Sequence, residues 1–247
     1  MKDTRIQQFK INSYEVEQST AARLTSIANY LQEIAYNHAN ELGVGYHQLL
    51  SRKMVWVLAR LQIEMYRYPI WDEVISVETW PRPFERLLAN RDFRISDSMG
   101  ELIGRATTRW LVLDSEKHRP VRPFDDLFAF PLRTDCSFET TPETLDPPGE
   151  RALSYSRQVH YSDLDVVGHV NNVKYIEWSL DALDPELLTD KEVKSMTISY
   201  LQEARKEDVV SIYTSPVKNN RIWVTAVREA DGKEVIRAEF LLGNGSL

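Results

Sequence analysis

Asp165 and His169 are the residues whose types and spacing point most directly to chemistry. They lie four residues apart in the stretch HYSDLDVVGHVNN, with Gly168 between them. A histidine exchanges a proton near neutral pH, and an aspartate can act as a base toward water or attack a carbonyl group directly. This combination suits the hydrolysis of an acyl bond, although an aspartate in such a loop can also serve only as a helix cap.

The residues after this loop are expected to form a helix that begins near His169. The first turn of a helix presents backbone N–H groups and the positive end of the helix dipole, which can hold a carbonyl oxygen as it gains charge. Gly168 would let a ligand approach the backbone closely. Asn171 and Asn172 follow as candidate oxyanion donors or positioning residues.

Glu203 is the third candidate catalytic residue. It ends the stretch 194–203, whose alternation places it on the same strand face as Thr197 and Ser199. A carboxylate at the end of a half-buried strand can hold a water molecule for attack on a carbonyl group. A solvated glutamate at a strand end is the competing interpretation.

Other catalytic signatures are missing from the sequence. It has no G-x-S-x-G, no phosphate-binding glycine loop and no His-Glu-x-x-His, and its five histidines and one cysteine are scattered. We therefore expect no metal and no tightly bound cofactor. A single cysteine fits a reducing compartment. Without a leader or a long apolar run, the sequence predicts a cytoplasmic protein that has no membrane span.

The charge distribution limits the partners. A net charge of −7 disfavours nucleic acid, because phosphate binders usually carry a basic surplus. The stretch from Arg82 to Arg122 is rich in arginine. Alternating charge on solvated strand faces is one interpretation of this stretch, and a docking face for an acidic protein is the other.

The elements that must position these residues recur in the two halves of the chain. Hydrophobic periodicity predicts a strand, an amphipathic helix and four further strands in each half. In the first half these are 9–16, 24–42 and the strands 54–66, 74–80, 87–95 and 102–113, with a turn at Pro81-Arg82-Pro83. In the second half they are 153–161, 173–183 and the strands 193–203, 209–217, 222–228 and 234–242. Ser19 or Thr20 could cap the first helix, and Gly43 could stop it.

This shared order predicts an internal duplication. His38-Ala39-Asn40 precedes His169-Val170-Asn171 by 131 residues, and the stretch 71–77 precedes 206–212 by 135. On this alignment the first half has no acidic pair just before its histidine, so the second half is the catalytic candidate. Six of the 11 prolines fall in 115–150. That segment is expected to be a linker between domains at 1–114 and 151–247.

The residues around the catalytic candidates also carry a resemblance. Ser162-Asp163-Leu164-Asp165 and the stretch 169–178 closely resemble the signature of the acyl-acyl carrier protein thioesterases of plants and bacteria. The resemblance extends to 68–74, 105–110 and 195–203, and so spans most of the chain outside the linker. It implies an α+β fold of two tandem hotdog domains, in each of which a curved antiparallel sheet wraps a long helix.

The resemblance implies hydrolysis of a fatty acyl-acyl carrier protein to the free fatty acid, with Asp165, His169 and Glu203 as catalytic residues. The fatty acyl chain would lie in the N-terminal domain, and the acidic carrier protein would dock on Arg82–Arg122. An acyl-CoA thioesterase and an acyl-thioester or lipid sensor without turnover are the alternative functions. The oligomeric state stays open, with a homodimer as one option.

Two positions depart from the family pattern. Val167 stands where the plant-type motif has an asparagine, and the side chain of valine cannot form a hydrogen bond. Asn171, Asn172 or Gln202 could take over that role. Ala204 stands where a cysteine has been assigned in the family, so no thiol chemistry is expected beside Glu203.

Overall fold

The computed structural model describes residues 3–117, 119–122 and 128–244. The chain forms two compact units, 1–142 and 143–247, and the boundary between them falls inside the predicted linker 115–150. No helix among the described residues is long and apolar enough to cross a membrane.

The first unit is a five-stranded antiparallel sheet with one long helix. Its strands lie in the order β1-β3-β4-β5-β2. The elements are β1 (Arg5–Lys10), a single 3-10 turn (Ser13–Glu15), α1 (Leu24–Glu41), α2 (Tyr46–Leu50), β2 (Met54–Met65), β3 (Val74–Glu85), β4 (Leu88–Ser96) and β5 (Leu102–Asp114).

Helix α1 forms where the apolar spacing predicts it. Ile27, Leu31 and Ile34 recur at steps of three and four residues, are fully or almost fully buried, and lie on the side of α1 that packs on β1 and β3. The expected cap at Ser19 or Thr20 is wrong, because Arg23 is the N-cap residue and no side chain caps the helix.

The second unit repeats this architecture with a shorter helix. Its strands lie in the equivalent order β6-β8-β9-β10-β7, all antiparallel. The elements are β6 (Ala152–Gln158), a 3-10 turn (Tyr161–Asp163), α3 (Asn172–Asp181), α4 (Pro185–Asp190), β7 (Lys191–Tyr200), β8 (Val209–Thr214), β9 (Arg221–Arg228) and β10 (Lys233–Asn244).

Two boundary predictions are wrong for identifiable reasons. The expected strand 9–16 is β1 followed by a 3-10 turn, because Asn12 and Glu15 form a capping box that closes the turn. The expected turn at Pro81-Arg82-Pro83 is part of β3. Strand β1 pairs with β3 only as far as Thr79, so the prolines lie beyond that pairing, where β1 needs no N–H from them.

Part of the predicted linker packs on the first unit. The carboxylate of Asp92 accepts a 2.6 Å hydrogen bond from Ser137 N, and Arg105 Nη1 donates to the carbonyl oxygen of Ser137 at 2.7 Å. Trp80 Nε1 donates to the carbonyl oxygen of Asp135 at 3.0 Å. The segment 133–142 therefore lies along the strands of the first unit instead of hanging free.

Candidate active site

The loop that carries Asp165 starts from a rigid anchor. Asp163 is buried, and its carboxylate accepts hydrogen bonds from His160 N at 2.8 Å and from Arg157 Nη2 at 3.1 Å. The Arg157 guanidinium in turn stacks on the ring of Trp178, 4.3 Å from its centroid. The first carboxylate of the sequence motif thus fixes the entry of the loop.

Asp165 organises the next turn around its own carboxylate. Its Oδ1 accepts hydrogen bonds from Val167 N at 2.9 Å and from His169 N at 3.1 Å. Its backbone N–H donates to the carbonyl oxygen of His169, and Gly168 N donates to the carbonyl oxygen of Asp165. Gly168 has φ +81°, which favours glycine. The N–H groups of residues 167–169 are therefore engaged within the loop.

His169 and Glu203 form a close contact. His169 Nε2 lies 2.5 Å from Glu203 Oε2, and these side chains are 28% and 42% exposed. Arg205 Nη2 lies 3.3 Å from the same carboxylate oxygen. His169 and Arg205 are also paired by a backbone bridge. A carboxylate on one ring nitrogen fixes the orientation and the tautomer of the imidazole.

Glu203 is not part of a strand, which corrects the prediction that alternation sets its direction. Strand β7 ends at Tyr200, and the N–H groups of Leu201 and Gln202 both point to the carbonyl oxygen of Val235. Glu203 follows in an irregular segment. Its direction therefore depends on the hydrogen bonds of that segment and not on the pleat.

The two asparagines lie at the start of α3, which begins at Asn172, three residues after His169. Asn171 is the N-cap residue, and its Oδ1 accepts a 2.9 Å hydrogen bond from Val173 N. The carbonyl oxygen of Asn172 accepts a hydrogen bond from Tyr200 OH at 3.2 Å. Asn171 thus has a structural task as the cap of α3.

Sequence reasoning missed Tyr175. It lies on α3, is 3% exposed, and its hydroxyl accepts a 3.0 Å hydrogen bond from Ala204 N, next to Glu203. Burial raises the pKa of the Tyr175 hydroxyl above its ordinary value. The sequence places a tyrosine inside the apolar stripe of the helix, and that is the signal that could have identified it.

The first unit contains the counterpart of this loop. Val16 bridges Ala22 as Leu164 bridges Val170, and Ala21 bridges Ile70 as His169 bridges Arg205. The matching pairs therefore lie 148 residues apart in the loop, and the predicted match of His38 with His169 at 131 residues is wrong. His38 lies near the end of α1, which is 18 residues long against 10 for α3. The extra turns of α1 shifted the alignment.

This correspondence identifies the residues that replace the candidates. In the first unit, the positions of Asp165, His169 and Glu203 are occupied by Glu17, Ala21 and Tyr68. The match at Tyr68 follows from a shared hydrogen bond. Ala22 N donates to the carbonyl oxygen of Pro69, and Val170 N donates in the same way to that of Ala204. The first unit thus keeps a carboxylate in the loop but lacks both the histidine and the glutamate.

Two family models match the chain. The acyl-ACP thioesterase N-terminal domain matches residues 2–130, and the acyl-ACP thioesterase C-terminal domain matches residues 149–241. The chain belongs to the acyl-ACP thioesterase family. The resemblance of the motif around Asp165 and His169 therefore extends over both units.

Relatives of the acyl-ACP thioesterase family share sequence and fold with this chain. Oleoyl-acyl carrier protein thioesterase 2 of Arabidopsis thaliana is 33% identical over 87% of this chain and 64% of its own length. The chain therefore spans about two thirds of that relative. An acyl-ACP thioesterase structure from Bacteroides thetaiotaomicron is 26% identical with a TM-score of 0.87, and covers 98% of both chains.

A second similar structure shows the fold alone. It is a 12:0-ACP thioesterase from Umbellularia californica, 23% identical with a TM-score of 0.82, and the match covers 99% of this chain and 98% of that one. These acyl-ACP thioesterase structures, together with antiparallel sheets that carry few helices, show that this chain has a hotdog-like fold.

In this chain the arginines of the Arg82–Arg122 stretch have different environments. Arg91 is buried, its Nη1 lies 3.0 Å from His38 Nδ1, and desolvation lowers the pKa of its guanidinium to about 10. Arg109 is buried and pairs with Glu85 at 2.8 Å. The interpretation of the stretch as solvated strand faces is wrong at these two positions, and neither can contact a partner.

Other basic residues of the stretch lie on the surface. Arg94 and Arg105 are paired with acidic side chains, at 3.1 Å to Asp135 and 2.6 Å to Glu64. The exposed members that have no ion-pair partner among the described residues are Arg86, Lys117, Arg119 and Arg122. Within the described ranges, no group of three or more His, Cys, Asp or Glu side chains could hold a metal ion.

Proposed function

We propose that this protein hydrolyses fatty acyl-acyl carrier protein to the free fatty acid and the carrier protein. The contact of His169 Nε2 with Glu203 Oε2 at 2.5 Å carries the proposal, because it provides an oriented acid–base group in a member of the acyl-ACP thioesterase family. The relatives are named for oleoyl and 12:0 substrates. Family membership therefore leaves the acyl length to be measured.

The two units are, in this proposal, two hotdog domains in tandem, at 1–114 and 151–247, joined by 115–150. Their equivalent strand orders support this division. Acyl-chain binding is assigned to the first domain and hydrolysis to the second. An alkyl chain needs apolar walls and no catalytic group, which suits the unit that has Ala21 and Tyr68 in place of a histidine and a glutamate.

In the proposed reaction, His169 moves the proton. Glu203 engages Nε2, so Nδ1 is the nitrogen that accepts a proton from water as the water oxygen attacks the thioester carbonyl. Glu203 stabilises the resulting imidazolium. When the tetrahedral intermediate collapses, the carbon–sulfur bond breaks and His169 returns the proton to the departing thiolate.

Asp165 holds the attacking water in this scheme. Its Oδ1 is occupied by two backbone N–H groups, and Oδ2 contacts no donor among the residues that the structure describes. The other route is attack by Asp165 itself, which would form a mixed anhydride. A single turnover in heavy-oxygen water separates the two routes. Label in the Asp165 peptide, found by mass spectrometry, would demonstrate attack by Asp165. Label only in the fatty acid supports attack by water if hydroxylamine also traps no acyl group on Asp165, because water can open the anhydride at its fatty acyl carbon.

The carrier protein is proposed to dock at one end of the first unit. Arg86 lies in the turn before β4, and Leu88 at the start of β4 pairs with Leu111 near the end of β5. Lys117 and Arg119 follow that end, where Asp114 N donates to the carbonyl oxygen of Arg119. The exposed cations therefore collect at the same end of the sheet and can attract an acidic protein.

The central experiment measures hydrolysis of acyl-carrier substrates from short to long chains, beside matched acyl-CoA substrates. We expect turnover with a higher kcat/KM on the carrier substrates. Equal or faster hydrolysis of acyl-CoA would identify acyl-CoA as the substrate instead of the acyl-carrier protein. Stoichiometric binding without product release would show that the protein is an acyl-thioester sensor and not an enzyme. The expected cytoplasmic location and the homodimer stay predictions, which cell fractionation and light scattering test.

A further inference from the structure

The peptide group that joins Glu203 to Ala204 is held at both of its polar atoms. Its carbonyl oxygen, on Glu203, accepts a hydrogen bond from Arg228 Nη1. Its N–H, on Ala204, donates to Tyr175 OH at 3.0 Å. Two side chains from different elements thus form hydrogen bonds to opposite edges of one peptide plane. A planar peptide that is held at both edges cannot rotate freely.

Both gripping side chains are themselves fixed. The ring of Tyr175 packs edge-on against Trp178 and Tyr200, with centroids 5.1 Å and 6.2 Å away. Arg228 forms a two-point ion pair with Asp231, with Nε to Oδ1 at 3.0 Å and Nη2 to Oδ2 at 2.7 Å. Rigid partners of this kind lose little freedom when they hold a third group.

The first unit lacks this pair of side-chain hydrogen bonds, although its backbone follows the same path around the equivalent peptide. The equivalent peptide joins Tyr68 to Pro69, and a proline has no N–H to donate. Ile27, at the position of Tyr175, has no acceptor and is fully buried. The fold therefore forms without a tyrosine at this place, so its presence in the second unit needs a reason beyond packing.

These two hydrogen bonds act on the Glu203 side chain by fixing the backbone beside it. The orientation of the peptide after Glu203 sets its ψ angle, and with it the direction in which the carboxylate leaves the backbone. Tyr175 belongs to α3, which begins three residues after His169, so its hydroxyl ties the histidine segment to the glutamate segment. Val170 N reinforces the tie by donating to the carbonyl oxygen of Ala204 at 2.9 Å.

We propose that Tyr175 and Arg228 are positioning residues that set the Glu203 carboxylate against His169. The proposal rests on the hydrolysis proposed above. It adds two groups that touch neither substrate nor reacting atoms but decide where the carboxylate lies. Burial raises the pKa of Tyr175, which keeps the phenol neutral and its oxygen available as an acceptor.

Tyr175→Phe removes only the hydroxyl. We expect kcat for the acyl-carrier substrate to fall about 10- to 100-fold with KM almost unchanged, since a displacement of about 1 Å in a catalytic group costs on the order of 10²-fold. Tyr155→Phe is the matched control. It removes a hydroxyl that donates to the carbonyl oxygen of Trp178, on the same helix, at 2.8 Å. We expect that variant to keep wild-type kcat.

A double-mutant cycle separates positioning from packing. If Tyr175 acts through Glu203, Tyr175→Phe has little further effect in a Glu203→Gln background. An equal fall in both backgrounds, or a fall matched by Tyr155→Phe, would overturn the proposal. Arg228→Lys provides the second variant, because lysine cannot pair at two points with Asp231 and hold the carbonyl oxygen together.

A second readout does not need turnover. The ring signals of His169 can be compared by NMR at one fixed pH in the wild type, in Tyr175→Phe and in Glu203→Gln. We expect the chemical shift of the Nε2 proton in Tyr175→Phe to move from its wild-type position toward that in Glu203→Gln, because the contact with the carboxylate is lengthened. Signals that coincide for wild type and Tyr175→Phe would refute the positioning role even if hydrolysis is confirmed. Absence of hydrolysis by the wild type would refute the proposed function and leave this test to decide the positioning.

Discussion

The same loop occurs in both units with the same backbone and different side chains. Glu17 N donates to the carbonyl oxygen of Ala21 at 2.8 Å, as Asp165 N does to that of His169. Each loop follows a 3-10 turn and precedes the long helix of its unit. The same two backbone hydrogen bonds close both turns, since Thr20 N donates to the carbonyl oxygen of Glu17 as Gly168 N does to that of Asp165. The second unit differs in the groups placed on that frame, so the frame can gain or lose a catalytic site by substitutions that leave its hydrogen bonds intact.

The interiors of the two units differ in the opposite sense. Thr79 pairs with Phe93 in the first sheet as Thr214 pairs with Val224 in the second, so Arg91 corresponds to Ile222. The first unit buries a guanidinium where the second buries an aliphatic side chain. The hotdog-like fold does not itself require Arg91, since the second unit has the same arrangement without an arginine at that position. Burying a charge is also costly. A buried arginine thus distinguishes the core of the first unit, and the contact of His169 with Glu203 distinguishes the second.

The largest expected effect comes from the residues that the first unit lacks. His169→Ala should lower kcat about 10²- to 10⁴-fold, the range of a general acid–base group, and Glu203→Gln should act in the same direction. Both side chains are partly exposed, so the fold should survive. Activity is measured on an acyl-carrier substrate and folding by thermal unfolding. Near-wild-type turnover of both variants would mean that these residues of the second unit do not form the active site.

Asp165 and Glu17 are the carboxylates of the two loops, and substitution of each shows which of them affects turnover. Asp165→Asn keeps an oxygen that can accept the two N–H bonds but loses the charge, so kcat should fall by about 10²-fold while the loop persists. Glu17→Gln is the matched control in the first unit, and its turnover should equal that of the wild type. A similar loss in both variants would mean that each carboxylate acts only through stability.

The docking surface adds a smaller difference between the units. Lys117→Glu with Arg119→Glu should lower kcat/KM for the carrier substrate by about tenfold at low salt, and less as salt rises, because surface charges act mainly on encounter. Lys218→Glu, in the turn before β9 of the second unit, is the control. Hydrolysis of acyl-CoA should change little in either variant. An equal loss on both substrates would place the effect in the fold.

The sequence predicts regular elements well where one face is buried. The periodicity of 24–42 locates α1 within one residue at each end, and alternation locates β2 and β5 equally closely. Burial of one helix stripe or one strand face leaves a period in the sequence. Residue types and a family motif indicate Asp165, His169 and Glu203 as catalytic candidates, and neither depends on the backbone path.

The remaining features depend on contacts between distant residues, which leave no period. Alternation predicts a strand face for Glu203 because nothing in 201–203 indicates that two N–H groups share the carbonyl oxygen of Val235. The sequence pairs His169 with His38 instead of Ala21, since Thr20 and Gly168 are different residues in the same backbone conformation. The hydroxyl of Tyr175 bonds to a backbone atom 29 residues away.

That shared conformation supports the smallest prediction. Gly168 has φ +81° and Thr20 has φ +67°, and a Cβ added at Gly168 would meet no atom within 4 Å. Gly168→Ala should therefore cost only the backbone strain, about 1–2 kcal/mol of unfolding free energy. Thr20→Gly should stabilise the first unit by up to about 1 kcal/mol, since it relieves the same strain but raises the entropy of the unfolded chain. Urea unfolding measures both. A loss well above the strain for Gly168→Ala would show that the glycine is needed for more than its φ angle.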